Sequence, residues 1–167
     1  EGGFDAVIGN PPYNLLQPQN VAKEELDYYH QKFKGTQYKI DIYHLFIEQS
    51  LRLVRNNGLF SFITPAPFTT NNYTTNLRKL LLDNVRIQQL VTVPDGVFAE
   101  ASVDNAIFTF QKSGDPKIRD RNEIDFVEAE PGKNQLVIKH RLSVAQAVFK
   151  ETPGMIFRPP KFAGFAK

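Results

Sequence analysis

The chain is predicted to be an α/β protein built around an open sheet, and three observations carry that prediction. Phe4-Asp5-Ala6-Val7-Ile8-Gly9 is a short apolar run that stops at Asn10-Pro11-Pro12-Tyr13, so it reads as a strand closed by a stiff corner. Between Asp41 and Gly58, the residues Tyr43, Phe46, Ile47, Ser50, Leu51 and Val54 recur at helical spacing and form one stripe. Leu59-Phe60-Ser61-Phe62-Ile63-Thr64 is a second apolar run, closed by Pro65 and Pro67. Strand, helix and strand in that order make a βαβ unit, whose crossover is right-handed almost without exception.

The remaining elements follow in chain order. Residues 14–39 form a long insertion after the corner, partly helical over residues 22–33, where Tyr28-Tyr29 sits. Asp41 is a suitable N-cap for the main helix and Gly58 a suitable stop. Residues 72–84 read as a second helix with Leu77, Leu80 and Leu81 inward. Residues 87–93 read as a strand. A turn at residues 96–99 presents Phe98, and residues 103–110 make a further strand, expected antiparallel at the sheet's edge. Ser113-Gly114-Asp115-Pro116 is a clear turn and marks the expected boundary between residues 1–112 and 113–167. Beyond it, residues 123–129 and 135–140 read as strands joined through Pro131-Gly132, and residues 143–149 as a short helix.

The corner carries the chemistry. Proline fixes its own φ, has no N–H and restricts the residue before it to extended conformations, so Pro12 restrains Pro11 and Pro11 restrains Asn10. The Asn10 side chain offers an oxygen acceptor and the Pro11 carbonyl a second. Two acceptors converging on one exocyclic amino group would hold both of its hydrogens and direct the nitrogen lone pair out of the ring plane. Tyr13 adds an aromatic face on which a base could stack, an interaction worth about 1–3 kcal/mol. The edge where such a corner lies is where open α/β sheets bind ligands.

Asn10-Pro11-Pro12-Tyr13 resembles motif IV of the DNA adenine-N6 methyltransferases, in their TaqI-like gamma class. Asp41-Ile42-Tyr43-His44-Leu45-Phe46-Ile47-Glu48 is similar to motif V of that class, Asn57 through Pro65 to motif VI, and Val97-Phe98 with the strand after it to motif VIII. The resemblance covers residues 3–113 in family order. It implies a Rossmann-like S-adenosylmethionine-dependent fold, of which this chain is the second half of the sheet with a β-containing C-terminal extension. It implies Asn10, Pro11, Pro12 and Tyr13 as the catalytic corner, Tyr13 and Phe98 as the rings that sandwich a flipped adenine, and Phe46 with Asn10 as cofactor contacts. By periodicity alone, Phe46 is a core residue. The implied partner is double-stranded DNA, in a restriction-modification system with a possible nuclease or specificity domain in the same protein. The family's Gly-rich cofactor turn precedes motif IV, so the 167 residues are expected to be a part of the enzyme that is inactive alone, with residues 113–167 a linker and the start of a target-recognition region. The competing readings are a protein-glutamine or RNA methyltransferase, in which similar motifs occur, and a non-catalytic DNA-binding module.

Composition narrows the class without choosing it. The formal net charge of +2 does not by itself indicate nucleic acid, and the late basic residues, from Lys112 to Lys167, interleave with acids. There is no cysteine, which excludes disulfides and thiolate metal sites. His30, His44 and His140 have no metal-ligand spacing, so no metal site is expected. No apolar run is long enough to span a bilayer, and a cytoplasmic protein is the simplest expectation.

Overall fold

The computed structural model describes residues 2–94, 104–133 and 135–159. Six strands form one mixed sheet. β1 (Phe4–Gly9) lies parallel to β4 (Val54–Pro65), as the βαβ reading requires. α2 (Ile42–Leu53) makes the crossover, while β2 (Leu15–Leu16), α1 (Lys23–Lys32) and β3 (Ile40–Asp41) occupy the insertion after the corner. α3 (Thr75–Asn84) leads into β5 (Val85–Val93). β6 (Asn105–Lys112), α4 (Pro116–Asp120), β7 (Glu123–Pro131), β8 (Leu136–Ala145) and α5 (Val148–Glu151) complete the chain. The strand order is β1-β4-β6-β5-β7-β8.

Two expectations need correction here. β6 is antiparallel as expected but lies inside the sheet, hydrogen-bonded to β4 on one side and β5 on the other, not at an edge. Both hydrogen-bonding edges of β6 are spent, on β4 through Asn105–Gln111 and on β5 through Asn105–Lys112, which leaves it no free edge. The segment at 143–149 does not begin as a helix. β8 runs through Ser143, Val144 and Ala145, because Leu142 and Val144 alternate toward the core and pair with Phe126 and Ile124; α5 starts only at Val148.

One core serves the whole sheet. Phe60 and Phe62 of β4 and Phe108 and Phe110 of β6 share a face, with Phe108 and Phe110 stacked at 4.3 Å and 13°. Tyr43, Ile47 and Leu51 of α2 and Leu77 and Leu81 of α3 pack on this face, and so do Phe126, Phe149 and Phe157 from beyond residue 113. The chain slips between Phe4 and Ala6 of the β1–β4 register, and residues 55–58 bulge outward with Asn57 at φ 63. Gly58 is needed at that bulge, since a Cβ there would lie 2.8 Å from the Arg55 carbonyl and 2.9 Å from that of Phe4. This early exit from α2 is why the helix ends at Leu53 and does not run to Gly58.

Residues 113–159 are joined to that sheet by polar groups as well. β5 is irregular between Ile87 and Gln89, which leaves backbone groups without ladder partners. Gln146, fully buried, accepts from the Ile87 N–H at 2.9 Å and donates to the Val85 carbonyl at 2.8 Å, and Asn122 donates to the Ile87 carbonyl at 2.8 Å. Arg78 of α3 is also fully buried. It donates to the carbonyls of Gly154 at 2.7 Å, Phe68 at 2.8 Å and Asn71 at 2.8 Å, and to Thr74 Oγ1 at 2.6 Å. The expected boundary after residue 112 thus falls at a turn within one continuous sheet and core. On the outer surface, Arg141 holds Asp125 through two bonds of 2.7 and 2.9 Å, and Lys139 lies 3.6 Å from Glu128, so these late basic residues are paired with acids. The Arg141 guanidinium keeps the Asp125 carboxyl below its ordinary range.

Candidate active site

The site forms where β1 and β4 end side by side. Gly9 pairs with Phe62, so Asn10 emerges beside Ile63-Thr64-Pro65 at the carboxyl end of the two parallel strands. Pro11 is buried, while Asn10 and Pro12 are exposed and Tyr13 is 38% exposed. The buried proline anchors the corner and leaves its polar groups at the surface. The Tyr13 hydroxyl lies 2.6 Å from Asn10 Oδ1 and 2.8 Å from the Ile63 carbonyl oxygen. The phenol ring meets Tyr43 edge-on at 6.1 Å. Burial raises the Tyr13 pKa above its ordinary value, so the hydroxyl keeps its proton at neutral pH.

The insertion returns to brace this corner. β2 and β3 pair as a two-residue antiparallel ribbon, and the Ile42 N–H donates to the Asn14 carbonyl at 3.0 Å. The start of α2 is thereby fixed beside Tyr13. Asp41 caps α2 as its sequence position predicts, in a reciprocal box with His44 in which the Asp41 N–H donates to His44 Nδ1 at 3.3 Å. Glu48, on the next turns of α2, accepts from the N–H of Lys34 at 3.1 Å and of Gly35 at 2.8 Å, which ties the end of the insertion down.

Asp41 and His44 respond to pH in opposite senses. Burial raises the Asp41 carboxyl to about 6 and lowers the His44 imidazole to about 4. Between pH 6.5 and 4, the unfolded chain takes up a proton at His44 that the folded chain refuses, so this group removes stability as pH falls. Asp41 takes up its proton in the folded state first, so it adds stability as pH falls from about 6 to 4. The two offset each other in the wild type. His44→Leu leaves only the Asp41 contribution, and its Tm is expected to rise relative to wild type as pH is lowered from 6.5 to 4. An unchanged difference in Tm across that range would exclude His44 as the titrating group.

Phe46 is not part of the core stripe that its periodicity suggests. It is 46% exposed on α2 and faces a cavity of about 390 Å³ between α1 and α2. Tyr28, Tyr29, Lys32 and Phe33 line that cavity from α1, and Ile42, Leu45 and Gln49 from α2. The buried face of α2 is instead carried by Tyr43, His44, Leu45, Ile47, Glu48, Ser50 and Leu51. The only sequence signal for the contribution of α1 to this cavity is Tyr28 and Lys32 at helical spacing, with Tyr29 and Phe33 beside them. Phe98, the expected second stacking ring, lies outside the described residues. Among the described residues no group of three or more His, Asp or Glu side chains is placed to hold a metal ion, and no helix is long and apolar enough to cross a membrane.

The chain is similar to known proteins over a span that includes this corner. Residues 1–98 match the Eco57I restriction-modification methylase family. A Methanocaldococcus jannaschii protein named as a type II restriction enzyme and methyltransferase is 40% identical over 121 residues, covering 72% of this chain and 10% of its own length. The type II methyltransferase M.PaeR7I of Pseudomonas aeruginosa is 28% identical over 166 residues, covering 98% of this chain and 26% of its own length. The chain therefore spans a tenth to about a quarter of these curated relatives. Among solved structures, a Listeria monocytogenes protein assigned to the class I S-adenosylmethionine-dependent methyltransferases superposes with a TM-score of 0.59 at 18% identity, over 77% of this chain and 37% of its own. That likeness establishes the Rossmann-like methyltransferase fold.

Proposed function

The chain belongs to the Eco57I restriction-modification methylase family, and on that footing we propose that the natural protein methylates the N6 amino group of adenine in double-stranded DNA. The observation that carries this is the corner at the carboxyl end of β1. Asn10 and Pro11 lie on a loop of two successive prolines, with the Tyr13 hydroxyl 2.6 Å from Asn10 Oδ1. These groups suit a planar ring bearing an amino group. The target adenine leaves the duplex to reach them, at a cost of a few kcal/mol of unstacking. Asn10 and Pro11 accept the two amino hydrogens, which aims the nitrogen lone pair out of the ring plane. Tyr13 stacks on one face of the base, and Phe98 is the ring proposed for the other.

S-adenosylmethionine is the proposed cofactor, supplying an electrophilic methyl group with a neutral thioether as leaving group. The chain's own share of its binding is Phe46, with Asn10 close to the transferred methyl. The half-exposed Phe46 ring in an aromatic, largely apolar cavity fits a flat heterocycle such as the cofactor's adenine. Because the leaving group is neutral, the demands on the protein are alignment and exclusion of water more than a strong base. Nothing at the corner among the described residues supplies such a base: the side chains there are an amide, two prolines and a protonated phenol.

The remaining assignments extend the same reading. The protein acts in a restriction-modification system in the cytoplasm, with a nuclease or specificity function carried elsewhere in the natural protein, and residues 113–167 lead toward target recognition. The 167 residues alone are proposed to be inactive. The test uses the natural protein with methyl-labelled S-adenosylmethionine and duplex DNA, followed by digestion to nucleosides. Label in N6-methyladenine is the expected result. Label in another base, in RNA or in protein glutamine, or no transfer at all, would overturn the reading.

A further inference from the structure

The Tyr13 hydroxyl has a task that stacking does not explain. Its oxygen lies within hydrogen-bond distance of two acceptors, Asn10 Oδ1 at 2.6 Å and the Ile63 carbonyl at 2.8 Å. A phenol has one proton, so the two oxygens compete for it. If the proton points at Asn10, the amide oxygen is fixed against Tyr13, with its second lone pair left for another donor. If the proton points at Ile63, the short contact to Asn10 would set lone pair against lone pair. That arrangement is relieved only when the amide turns by half a revolution, so that Nδ2 donates to the phenol oxygen and Oδ1 faces away from it. The terminal torsion of asparagine is broad and roughly two-fold, so this turn meets little resistance of its own.

We infer that the Tyr13 hydroxyl, braced on the Ile63 carbonyl, is a positioning group that fixes the rotation of the Asn10 amide and so keeps an oxygen lone pair available for the target amino group. The inference rests on the reading of this corner as the methyl-transfer site. With the proton held by the Ile63 carbonyl, the phenol oxygen accepts from Nδ2, and Oδ1 is turned outward with both lone pairs unspent. Without the hydroxyl, nothing in the described contacts of Asn10 distinguishes its oxygen from its nitrogen. The amide is then free to present its NH₂ to the substrate's own NH₂, donor against donor, for part of the time. The brace lies on the backbone of β4, a strand flanked on both sides, so it does not shift with the side chains of the pocket.

Tyr13→Phe and Tyr13→Trp both keep an aromatic ring and remove the hydroxyl. In the natural protein, each is expected to lower the single-turnover methylation rate by about three- to tenfold, the loss of one ordinary net hydrogen bond. KM for DNA and the fluorescence of 2-aminopurine at the target position should stay at wild-type values, since the ring still captures the base. A purely structural role for the hydroxyl would lower Tm without this separation of rate from KM. A wild-type single-turnover rate in either folded variant overturns the inference, as does a loss confined to KM. These outcomes leave the proposed activity standing, which fails only if the wild-type protein makes no N6-methyladenine.

Discussion

On the proposed reading, Asn10→Ala is expected to lower the single-turnover rate of adenine methylation by about 10²–10³-fold, the range seen when one preorganised polar group is removed from the centre of charge development. The physical reason is alignment. Alanine keeps the backbone of the corner, because Pro11 still restrains residue 10 to extended conformations. It removes only the side-chain acceptor, leaving the Pro11 carbonyl to hold the amino group by one hydrogen. The nitrogen is then free to swing out of line with the methyl group. Affinity for S-adenosylmethionine, measured by equilibrium binding, should change by less than about threefold, because a single exposed contact is lost. A rate within threefold of wild type would mean that Asn10 does not hold the reacting group. The result also separates chemistry from assembly, because Asn10 is at the surface and contributes nothing to the core.

The second large effect concerns folding. Arg78→Met is expected to destabilise the domain by roughly 3–5 kcal/mol, the cost of several buried acceptors losing their donor at once. Methionine matches the aliphatic stem, so the loss isolates the guanidinium. The group has no carboxylate among the partners described above. Carbonyls and hydroxyls alone hold it, and burial lowers its pKa to about 10, so it remains charged at neutral pH. In the variant, the carbonyls of Gly154, Phe68 and Asn71 lose that donor inside the core. A denaturant midpoint lowered in proportion, with faster proteolysis at residues 152–158, is the expected result. A loss under 1 kcal/mol would show that water reaches these carbonyls.

The parts of the fold legible in sequence are those set by local pattern. β1, α2 and β4 are recovered because a strand period, a helix period and a pair of prolines each speak within a dozen residues. The corner is legible for the same reason, since its rigidity follows from Pro11 and Pro12 alone. The place of β6 is a different kind of fact. Nothing within residues 105–112 states which strands will flank it, since the alternation of Ala106, Phe108 and Phe110 with Ile107, Thr109 and Gln111 fits an edge strand as well as an interior one. The end of β8 is not legible locally, because Val144 and Ala145 suit a helix as well as a strand when read without Ile124 and Glu123 opposite. Arg78, Asn122 and Gln146 look like surface residues in sequence. Each is buried only because the tertiary fold leaves backbone groups at an irregular strand and two short turns in need of partners far along the chain. Phe46 illustrates the reverse. It lies close to the apolar stripe by period, yet the rotation of α2 against the sheet turns it toward α1.

The shared anchoring of the last strands sets where this domain can be cut and rejoined. A chimera spliced at Ser113 would sever Gln146 from β5 and Gly154 from Arg78, and would strip β5 of its parallel neighbour β7. A transplantable cassette has to begin beyond Phe157, which is still fully buried in the phenylalanine cluster.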